Sequence, residues 1–308
     1  MPGHRSSVTS TDRIVFGLRL EPLTHDQVIE RCRVALADRS RMLIGVVNAS
    51  KVVHLRRDPL LRESLLECDI IVADGQSVVW ASRLVHQPLP ERVAGCDLFE
   101  SLLAVAHRDG RSVYLLGARP EVLRLLEARI EERFPGLRIA GSRDGYFKDG
   151  ESEQVAAEIR ESNADMLFLG ITSPKKEIFL GTYGDSLGVP IMHGVGGSFD
   201  VLAGITKRAP ERWQRMGLEW AYRTLQEPRR MWKRYLTTNT EFMILLGREM
   251  VHPTPMLVAR AQHGSREYSG STSAARSSSI PPQRTSPDAV ESVAASEIPI
   301  PNQRLTAS

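Results

Sequence analysis

A glycine-rich turn in the second half of the sequence has the residue types that bind phosphate. Gly194, Gly196 and Gly197 belong to a Gly-Val-Gly-Gly run that directly follows a short apolar segment. Backbone N–H groups in such a turn can hold phosphate oxygens. Glycine is also what a tight turn between a strand and a helix requires, so the turn alone leaves both interpretations open.

A basic, tryptophan-rich stretch follows this turn. Residues 207 to 234 contain nine lysines and arginines, three glutamates and three of the four tryptophans, although the formal net charge of the chain is only +3. Basic helices with interleaved tryptophans can lie against anionic lipid headgroups. The alternative is a solvated basic helix face. The turn and the stretch together favour a phosphorylated substrate and a membrane surface, and the small net charge argues against nucleic acid as a partner.

Asp74 is the candidate catalytic base. It comes directly after an apolar run and directly before Gly75. A carboxylate at this position can accept a proton from an attacking hydroxyl group. Aspartate is also a favoured N-cap residue of helices, and spacing alone does not decide between the two roles.

Lys176 and Arg92 are candidate anion-binding residues. Lys176 follows Lys175 in a Ser-Pro-Lys-Lys segment, where the alternative is a helix start with solvated lysines. Arg92 could hold an anion through its guanidinium group, or it could form a surface ion pair with Glu91 or Asp97. We interpret Asp97 as another helix cap.

The elements that would position these residues are compact apolar runs alternating with helical patterns. Such runs are typical of strands that are covered on both faces. The six predicted strands are Met42 to Val47, Asp69 to Ala73, Ser112 to Leu116, Leu137 to Ala140, Asp165 to Gly170, and Pro190 to His193. The predicted helices are His25 to Asp38, Gly75 to His86, Cys96 to Arg108, Arg119 to Phe134 and Glu151 to Ser162. This order predicts an α/β fold with a mainly parallel sheet.

In open parallel sheets, ligands bind beyond the carboxyl ends of the strands. The candidate residues that follow predicted strands are Asn48, Asp74, Gly117, Lys176 and the Gly194 turn. We therefore expect them at one edge of the sheet. His193, on an apolar strand, is interpreted as a core histidine rather than a ligand.

Four regions are predicted along the chain: a flexible arm at 1–12, an α/β catalytic core at 13–206, a basic helical appendage at 207–250, and a linker and disordered tail at 251–308. Residues 264 to 308 contain eleven serines and five prolines without an apolar period, a composition typical of disorder. No apolar run approaches the length of a membrane span.

Some motifs are absent from the sequence. The three cysteines form no Cys-x-x-Cys pair or disulfide framework, which fits a cytoplasmic setting. There is no clustered metal-ligand set, no Gly-x-x-x-x-Gly-Lys-Ser/Thr loop and no Gly-x-Gly-x-x-Gly after the first strand. We therefore expect no metal ion and no cofactor, and an NAD-dependent oxidoreductase is disfavoured.

Several ordered segments resemble the WecG/TagA/CpsF glycosyltransferases. The resemblance runs from about Arg41 to Leu236, with order and spacing kept. The segments that carry it are Val47-Asn48-Ala49, Ala73-Asp74-Gly75, Pro90 to Leu98, Asp144 to Phe147, Ser173 to Glu177, Gly194 to Asp200, Lys207 to Pro210 and Gly217 to Trp220.

The resemblance implies an inverting, metal-independent transfer of a sugar from a UDP-sugar to a polyprenyl-diphosphate-linked saccharide at the inner face of the cell membrane. It also implies a Rossmann-like core and a C-terminal helical appendage that completes the active site. Carried onto this chain, it makes Asp74 the general base, Asn48 a sugar contact and Arg92 a donor contact. It places the arginines that reach the diphosphate at Arg223 and Arg230. A homo-oligomer is compatible with this picture.

Two positions depart from the family pattern. Val46 stands where the family often has threonine, and Lys176 stands where it often has glutamine. Both lie near the expected sugar pocket, so a donor other than UDP-N-acetylmannosamine, such as one with glucose or a uronic acid, becomes credible. The alternative is a catalytically inactive, membrane-recruited scaffold that binds a nucleotide or a lipid-linked sugar.

Overall fold

The computed structural model describes residues 13–172, 175–226 and 228–258. The predicted arm at 1–12 and the predicted tail at 264–308 lie outside the described residues. The helical segments also include residues whose side chains are outside this description, namely Asp149, Glu177, Glu211, Arg215, Arg223, and residues 228–231 and 233–235.

A short β-hairpin comes first, and the sequence analysis did not predict it. Strands β1 (Arg13–Val15) and β2 (Leu18–Leu20) pair antiparallel. Phe16 and Gly17 form the turn with φ values of 54° and 77°. Positive φ at both central residues suits a two-residue hairpin turn. Strands of this length are too short to show an apolar period, which is why the prediction missed them.

Six parallel strands form the main sheet. They are β3 (Met42–Val47), β4 (Ile70–Ala73), β5 (Ser112–Gly117), β6 (Arg138–Arg143), β7 (Met166–Gly170) and β8 (Ile191–Gly194). Their order across the sheet is β4-β3-β8-β7-β5-β6, and every neighbouring pair is parallel. All six predicted strands are confirmed and differ from the prediction only at their ends, and the predicted α/β fold with a mainly parallel sheet is correct.

Helices cover both faces of this sheet. In chain order they are α1 (His25–Asp38), α2 (Ala49–His54), α3 (Pro59–Leu66), α4 (Gln76–Leu84), α5 (Gly95–Arg108), α6 (Pro120–Arg133), α7 (Ser152–Ser162), α8 (Lys175–Tyr183), α9 (Ser198–Leu202), α10 (Glu211–Arg215), α11 (Glu219–Gln226) and α12 (Pro228–Val251). The five predicted helices of the core are α1 and α4 to α7. The short helices α2, α3 and α9 were not predicted, because each offers few turns for an apolar period. Helix α8 was foreseen only as the alternative interpretation of the two lysines at its start.

Neighbouring residues of one strand are buried on opposite faces. Val46 of β3 belongs to the cluster formed with α1, α5, α6 and α9, whereas Val47 belongs to the cluster formed with α2, α3, α4, α12 and the hairpin. Their exposed fractions are 8% and 0%. Burial on both faces explains why the strands appear in the sequence as continuous apolar runs.

The connections diverge between β3 and β8. These strands are neighbours, but α2 after β3 packs on one face and α9 after β8 packs on the other. In open α/β sheets such a divergence opens a binding crevice at the carboxyl ends of the strands.

The C-terminal helices pack on the core. Phe242 and Leu246 of α12 are buried in the cluster that contains the hairpin, and the rings of Phe242 and Phe16 lie 5.4 Å apart. Gly217, before α11, has a φ of 66°, and a Cβ there would come within 2.9 Å of the Gln76 side chain. Among the described residues no helix combines the length and apolarity that crossing a membrane requires.

Candidate functional site

Asn48 and Asp74 lie side by side at the carboxyl ends of β3 and β4. The Asp74 N–H donates to the carbonyl of Val47 at 2.8 Å, which fixes the end of β4 against β3. Asn48 Nδ2 donates to Asp74 Oδ2 at 3.4 Å. Two of the candidate residues from the sequence are therefore in contact.

Asp74 is oriented by the start of α5 and does not cap the helix that follows it in the chain. The N-cap of α4 is Gly75, without a side-chain cap. Instead, the N–H of Gly95, the first residue of α5, donates to Asp74 Oδ1 at 2.9 Å. A negative charge at a helix N-terminus is electrostatically favourable. The N-cap interpretation of Asp74 for α4 is therefore wrong.

The contacts of Asp74 leave it the capacity to accept a proton. Asp74 is half-buried, one carboxylate oxygen is held by Gly95 and the other has the long contact with Asn48. An ionised carboxylate has about four acceptor positions, so a hydroxyl group of a bound molecule can also donate to it. The arrangement suits a general base whose orientation is set in advance.

Asn48 is held from both sides. Its Oδ1 accepts from the Lys51 N–H at 3.1 Å and caps α2, while its Nδ2 faces Asp74. Because the cap fixes the side-chain oxygen, the amide nitrogen must point toward the carboxylate. Asn48 thus links the end of β3 to the orientation of Asp74.

His193 packs beneath this cluster. Its side chain is fully buried, and Nε2 lies 3.2 Å from the carbonyl oxygen of Gly95. Burial lowers the pKa of His193 to about 4, so the ring is neutral near pH 7 and Nε2–H donates to Gly95. These contacts agree with the interpretation of His193 as a core residue.

Lys176 lies across the end of β8. A Cβ on Gly194 would come within 2.9 Å of the Lys176 side chain, so the glycine makes room for the lysine. Its neighbour Lys175 faces elsewhere, donating to the carbonyl of Gly145 at 3.2 Å and stacking 3.5 Å from the ring centre of Phe147. Of the two lysines, Lys176 is therefore the one that lies at the end of β8, the strand next to β3.

The other candidate glycines lie farther along the sheet edge or in open space. Gly117 ends β5, four strands from β4, or roughly 19 Å at the usual strand spacing. Its φ is 135°, and a Cβ there would come within 2.7 Å of Gly170 Cα, which is a packing reason for glycine. Gly196 has a φ of 54°, and a Cβ on Gly196 or Gly197 would meet no heavy atom within 4 Å.

Arg92 connects the core to the C-terminal helices. Its guanidinium group lies 3.1 Å from the Glu219 carboxylate of α11 and 3.9 Å from Asp97. The sequence analysis named Glu91 and Asp97 as possible ion-pair partners of Arg92. Asp97 is a second partner at the longer distance. Glu91 instead accepts a hydrogen bond from the N–H of His25 at 2.6 Å. The main partner is 127 residues away in the chain, so local spacing could not reveal it.

Asp97 pairs with Arg208 and does not cap α5, whose N-cap is Ala94, so that prediction was wrong. Burial disfavours the charge of Asp97, but the hydrogen bond and charge of Arg208 and the charge of Arg92 outweigh it and lower the pKa of this carboxyl. Glu219 and Arg208 were not among the candidate residues. Both residues lie in segments that carry the family resemblance, and this position was the feature of the sequence that could have identified them.

Arg223 and Arg230 lie on α11 and α12, but their side chains are outside the described part of the chain. Their predicted contact with a diphosphate stays a prediction. Among the described residues, no group of three or more histidine, cysteine, aspartate or glutamate side chains is placed to hold a metal ion.

A separate cleft of about 550 Å³ lies at the opposite edge of the sheet. It is lined by Arg124 and Glu127 of α6, by Arg143 at the end of β6, and by Tyr146 and Glu158 among others. Arg143 and Glu158 form a two-point ion pair there, at 2.7 and 2.8 Å. Since β6 and β4 are the two edge strands, this cleft is distinct from the cluster around Asp74.

The chain is similar to known proteins over most of its length. Residues 13–255 match the glycosyl transferase WecG/TagA/CpsF family. A relative from Bacillus spizizenii (strain W23) is 37% identical over 210 residues, which are 68% of this chain and 80% of that protein. It is named N-acetylglucosaminyldiphosphoundecaprenol N-acetyl-beta-D-mannosaminyltransferase. With a family match over most of its length and a relative this similar, the chain belongs to the WecG/TagA/CpsF family of glycosyl transferases.

Proposed function

We propose that the protein transfers a sugar from a UDP-sugar to a saccharide linked to a polyprenyl diphosphate, in the synthesis of a bacterial surface polysaccharide or exopolysaccharide. The observation that carries the proposal is the carboxylate of Asp74, fixed at the carboxyl edge of a parallel sheet in a chain of this family. The name of the Bacillus relative supports a lipid-diphosphate acceptor and a hexosamine donor.

The proposed reaction is a single displacement with inversion at the anomeric carbon. Asp74 Oδ2 accepts the proton of the acceptor hydroxyl as that oxygen forms a bond to the anomeric carbon. The bond from this carbon to the UDP oxygen breaks, and UDP leaves from the opposite face with the electron pair. The Gly95 N–H supports this role because it holds Oδ1 and so sets the direction of Oδ2.

The charge on the leaving diphosphate needs donors. We assign this role to Arg223, Arg230 and the N–H groups of the turn from Gly194 to Gly197, without a metal ion. The resemblance and the excess of basic residues between 207 and 234 support the assignment. Losing one such donor typically raises the barrier by about 2.7–4 kcal/mol. Transfer should therefore persist in excess EDTA but fall sharply in Arg230→Ala.

The donor sugar depends on the environment of Lys176. The family often has a neutral glutamine at this position, whereas Lys176 places an ammonium group at the Gly194 end of β8. A cation there favours a negatively charged or hydroxyl-rich sugar. Val46, the other departure from the family pattern, is buried in the core cluster next to Gly95 and offers no hydroxyl. A glucosyl or uronosyl donor is therefore proposed beside N-acetylmannosamine.

A peripheral position on the inner membrane face completes the proposal. Leu225 of α11 and Leu236 of α12 are exposed by 69% and 60%, and both helices overlap the basic stretch of residues 207 to 234. Exposed apolar side chains combined with lysines and arginines suit a helix that lies in the headgroup region.

The deciding experiment is transfer of radiolabel from a panel of UDP-sugars to polyprenyl-diphosphate monosaccharide and disaccharide acceptors. We expect one donor to label the lipid product in the wild type and not in Asp74→Asn. Binding of UDP or of the lipid acceptor, without transfer from any donor, would favour a catalytically inactive scaffold instead. Retention of the Asp74 arrangement argues against that scaffold.

A further inference from the structure

Residues 92 to 97 lie between α4 and α5, include the first turn of α5, and are hydrogen-bonded to the cluster around Asp74. The Val93 N–H donates to the carbonyl of Ala73 at 2.8 Å, and the Gly95 N–H donates to Asp74 Oδ1 at 2.9 Å. His193 donates to the Gly95 carbonyl from below. A shift of this segment would therefore move the N–H group that orients Asp74.

The same segment is also tied to the C-terminal helices. Arg92 contacts Glu219 of α11 at 3.1 Å, and Asp97 pairs with Arg208, which precedes α10. Arg92 and Asp97 are themselves 3.9 Å apart. The four side chains form a row of alternating charge, Arg208–Asp97–Arg92–Glu219, which we call the charge bridge.

The Arg92–Glu219 pair of the charge bridge is largely shielded from water. The Arg92 and Glu219 side chains are 15% and 25% exposed. By contrast, the ion pair between Arg57 and Glu241, which also joins the core to a C-terminal helix, has exposures of 71% and 34%. Exposed ion pairs contribute little because solvent screens them, whereas a shielded pair constrains its partners more strongly.

We propose that Glu219 is a positioning residue, which couples the docking of α11 to the orientation of Asp74 through Arg92 and residues 92 to 97. When α11 is docked, Glu219 holds Arg92 and the segment keeps the Gly95 N–H on Asp74. When α11 is displaced, the segment loosens and Asp74 loses its support. The catalytic part of this inference rests on the proposed function, whereas the structural part does not.

Amide hydrogen exchange tests the structural part without any substrate. In the full chain, Glu219→Gln should speed exchange in residues 92 to 97 by about tenfold, the effect expected when a charge-assisted hydrogen bond of about 1.4 kcal/mol is lost. Glu241→Gln, the matched control, removes the exposed ion pair to Arg57 and should leave this segment unchanged. Equal exchange in the two variants would overturn the proposal.

Transfer kinetics test the catalytic part. Glu219→Gln should lower kcat by about tenfold and change the donor KM by less than about threefold, because Asp74 acts in the chemical step. A purely structural role would lower the melting temperature and leave the kcat of the folded fraction unchanged, and that result would overturn the coupling. Asp97→Asn loosens the bridge from the core side and serves as a second variant if Glu219→Gln does not fold.

The two proposals fail separately. If the wild type transfers no sugar from any donor, the proposed function is wrong, yet the exchange comparison still decides whether the charge bridge orders residues 92 to 97. If transfer occurs and the exchange in Glu219→Gln matches that in Glu241→Gln, only the positioning role is wrong.

Discussion

At the scale of single residues, Gly95 connects two titratable side chains of different character. Its N–H binds the half-buried carboxylate of Asp74, and its carbonyl oxygen accepts from the buried imidazole of His193. The carboxylate stays within reach of a ligand, while the imidazole is enclosed and neutral. The proposed chemistry therefore falls on Asp74, and we interpret His193 as its structural support.

Asp74→Asn should abolish transfer, because an amide cannot take up the hydroxyl proton at neutral pH. Its Oδ1 can still accept from Gly95, so the fold should persist. The measurements are radiolabel transfer, the melting temperature and UDP affinity by calorimetry. Turnover close to the wild-type rate would remove Asp74 from the mechanism.

His193→Gln should weaken the pH dependence of stability. Burial lowers the folded-state pKa of His193 to about 4, below the ordinary histidine value of 6.5. Between these values the unfolded chain binds more protons, so the free energy of unfolding falls as pH drops from 6.5 toward 4, by about 3 kcal/mol in total. This contribution is complete above pH 6.5.

Urea unfolding at pH 7.5 and pH 5 measures this effect. Glutamine keeps an N–H donor for Gly95 but does not titrate, so the difference in unfolding free energy between the two pH values should shrink. His252→Gln, at an exposed position, is the control and should behave like the wild type. An unchanged pH difference in His193→Gln would contradict the expected shift in pKa.

At the scale of elements, the sheet edge depends on close contact between strand ends. Gly117 of β5 and Gly170 of β7 are paired in register, and their backbones are too close for a Cβ on Gly117. Gly117 was proposed as a substrate-binding residue. The packing reason explains the glycine by itself, and the substrate-binding role of Gly117 stays a prediction.

Gly117→Ala should destabilise the protein by about 2–5 kcal/mol, since backbone strain at positive φ adds to an overlap with backbone atoms that no rotamer relieves. Gly184→Ala is the control, because a Cβ there meets no heavy atom within 4 Å and Gly184 has no positive φ. Chemical denaturation of both variants measures the difference. A similar loss in both would show that the β5–β7 contact tolerates a side chain.

At the scale of the whole molecule, the C-terminal helices pack on the core and are also the proposed membrane contact. A single deletion would remove both, so its effect could not be assigned to either. Phe242 and Leu246 of α12 complete a core cluster, so cutting the chain after Thr206 would expose that core as well as remove the proposed membrane contact. The domain boundary between residues 206 and 207 stays a prediction. Surface substitutions separate the two roles.

Leu225→Glu combined with Leu236→Glu should weaken binding to anionic liposomes by at least about tenfold, because two exposed apolar side chains are replaced by negative charges. Leu125→Glu, at a 49% exposed site on α6, is the control and should bind like the wild type. Vesicle co-sedimentation measures both. Unchanged binding of the double variant would exclude this surface as the membrane contact.

The sequence by itself determined the strands, the main helices and the family. Strands buried on both faces appear as continuous apolar runs. Local motifs such as Ala73-Asp74-Gly75 can be recognised from the order of residues in the chain alone. The tertiary structure alone decided the strand order, the partner of Arg92 and the helix that orients Asp74. Contacts such as Arg92 with Glu219 join residues 127 positions apart, and their formation depends on how the elements pack rather than on any local pattern. For the same reason Asp97, which has the residue type of a helix cap, forms an ion pair with Arg208 instead.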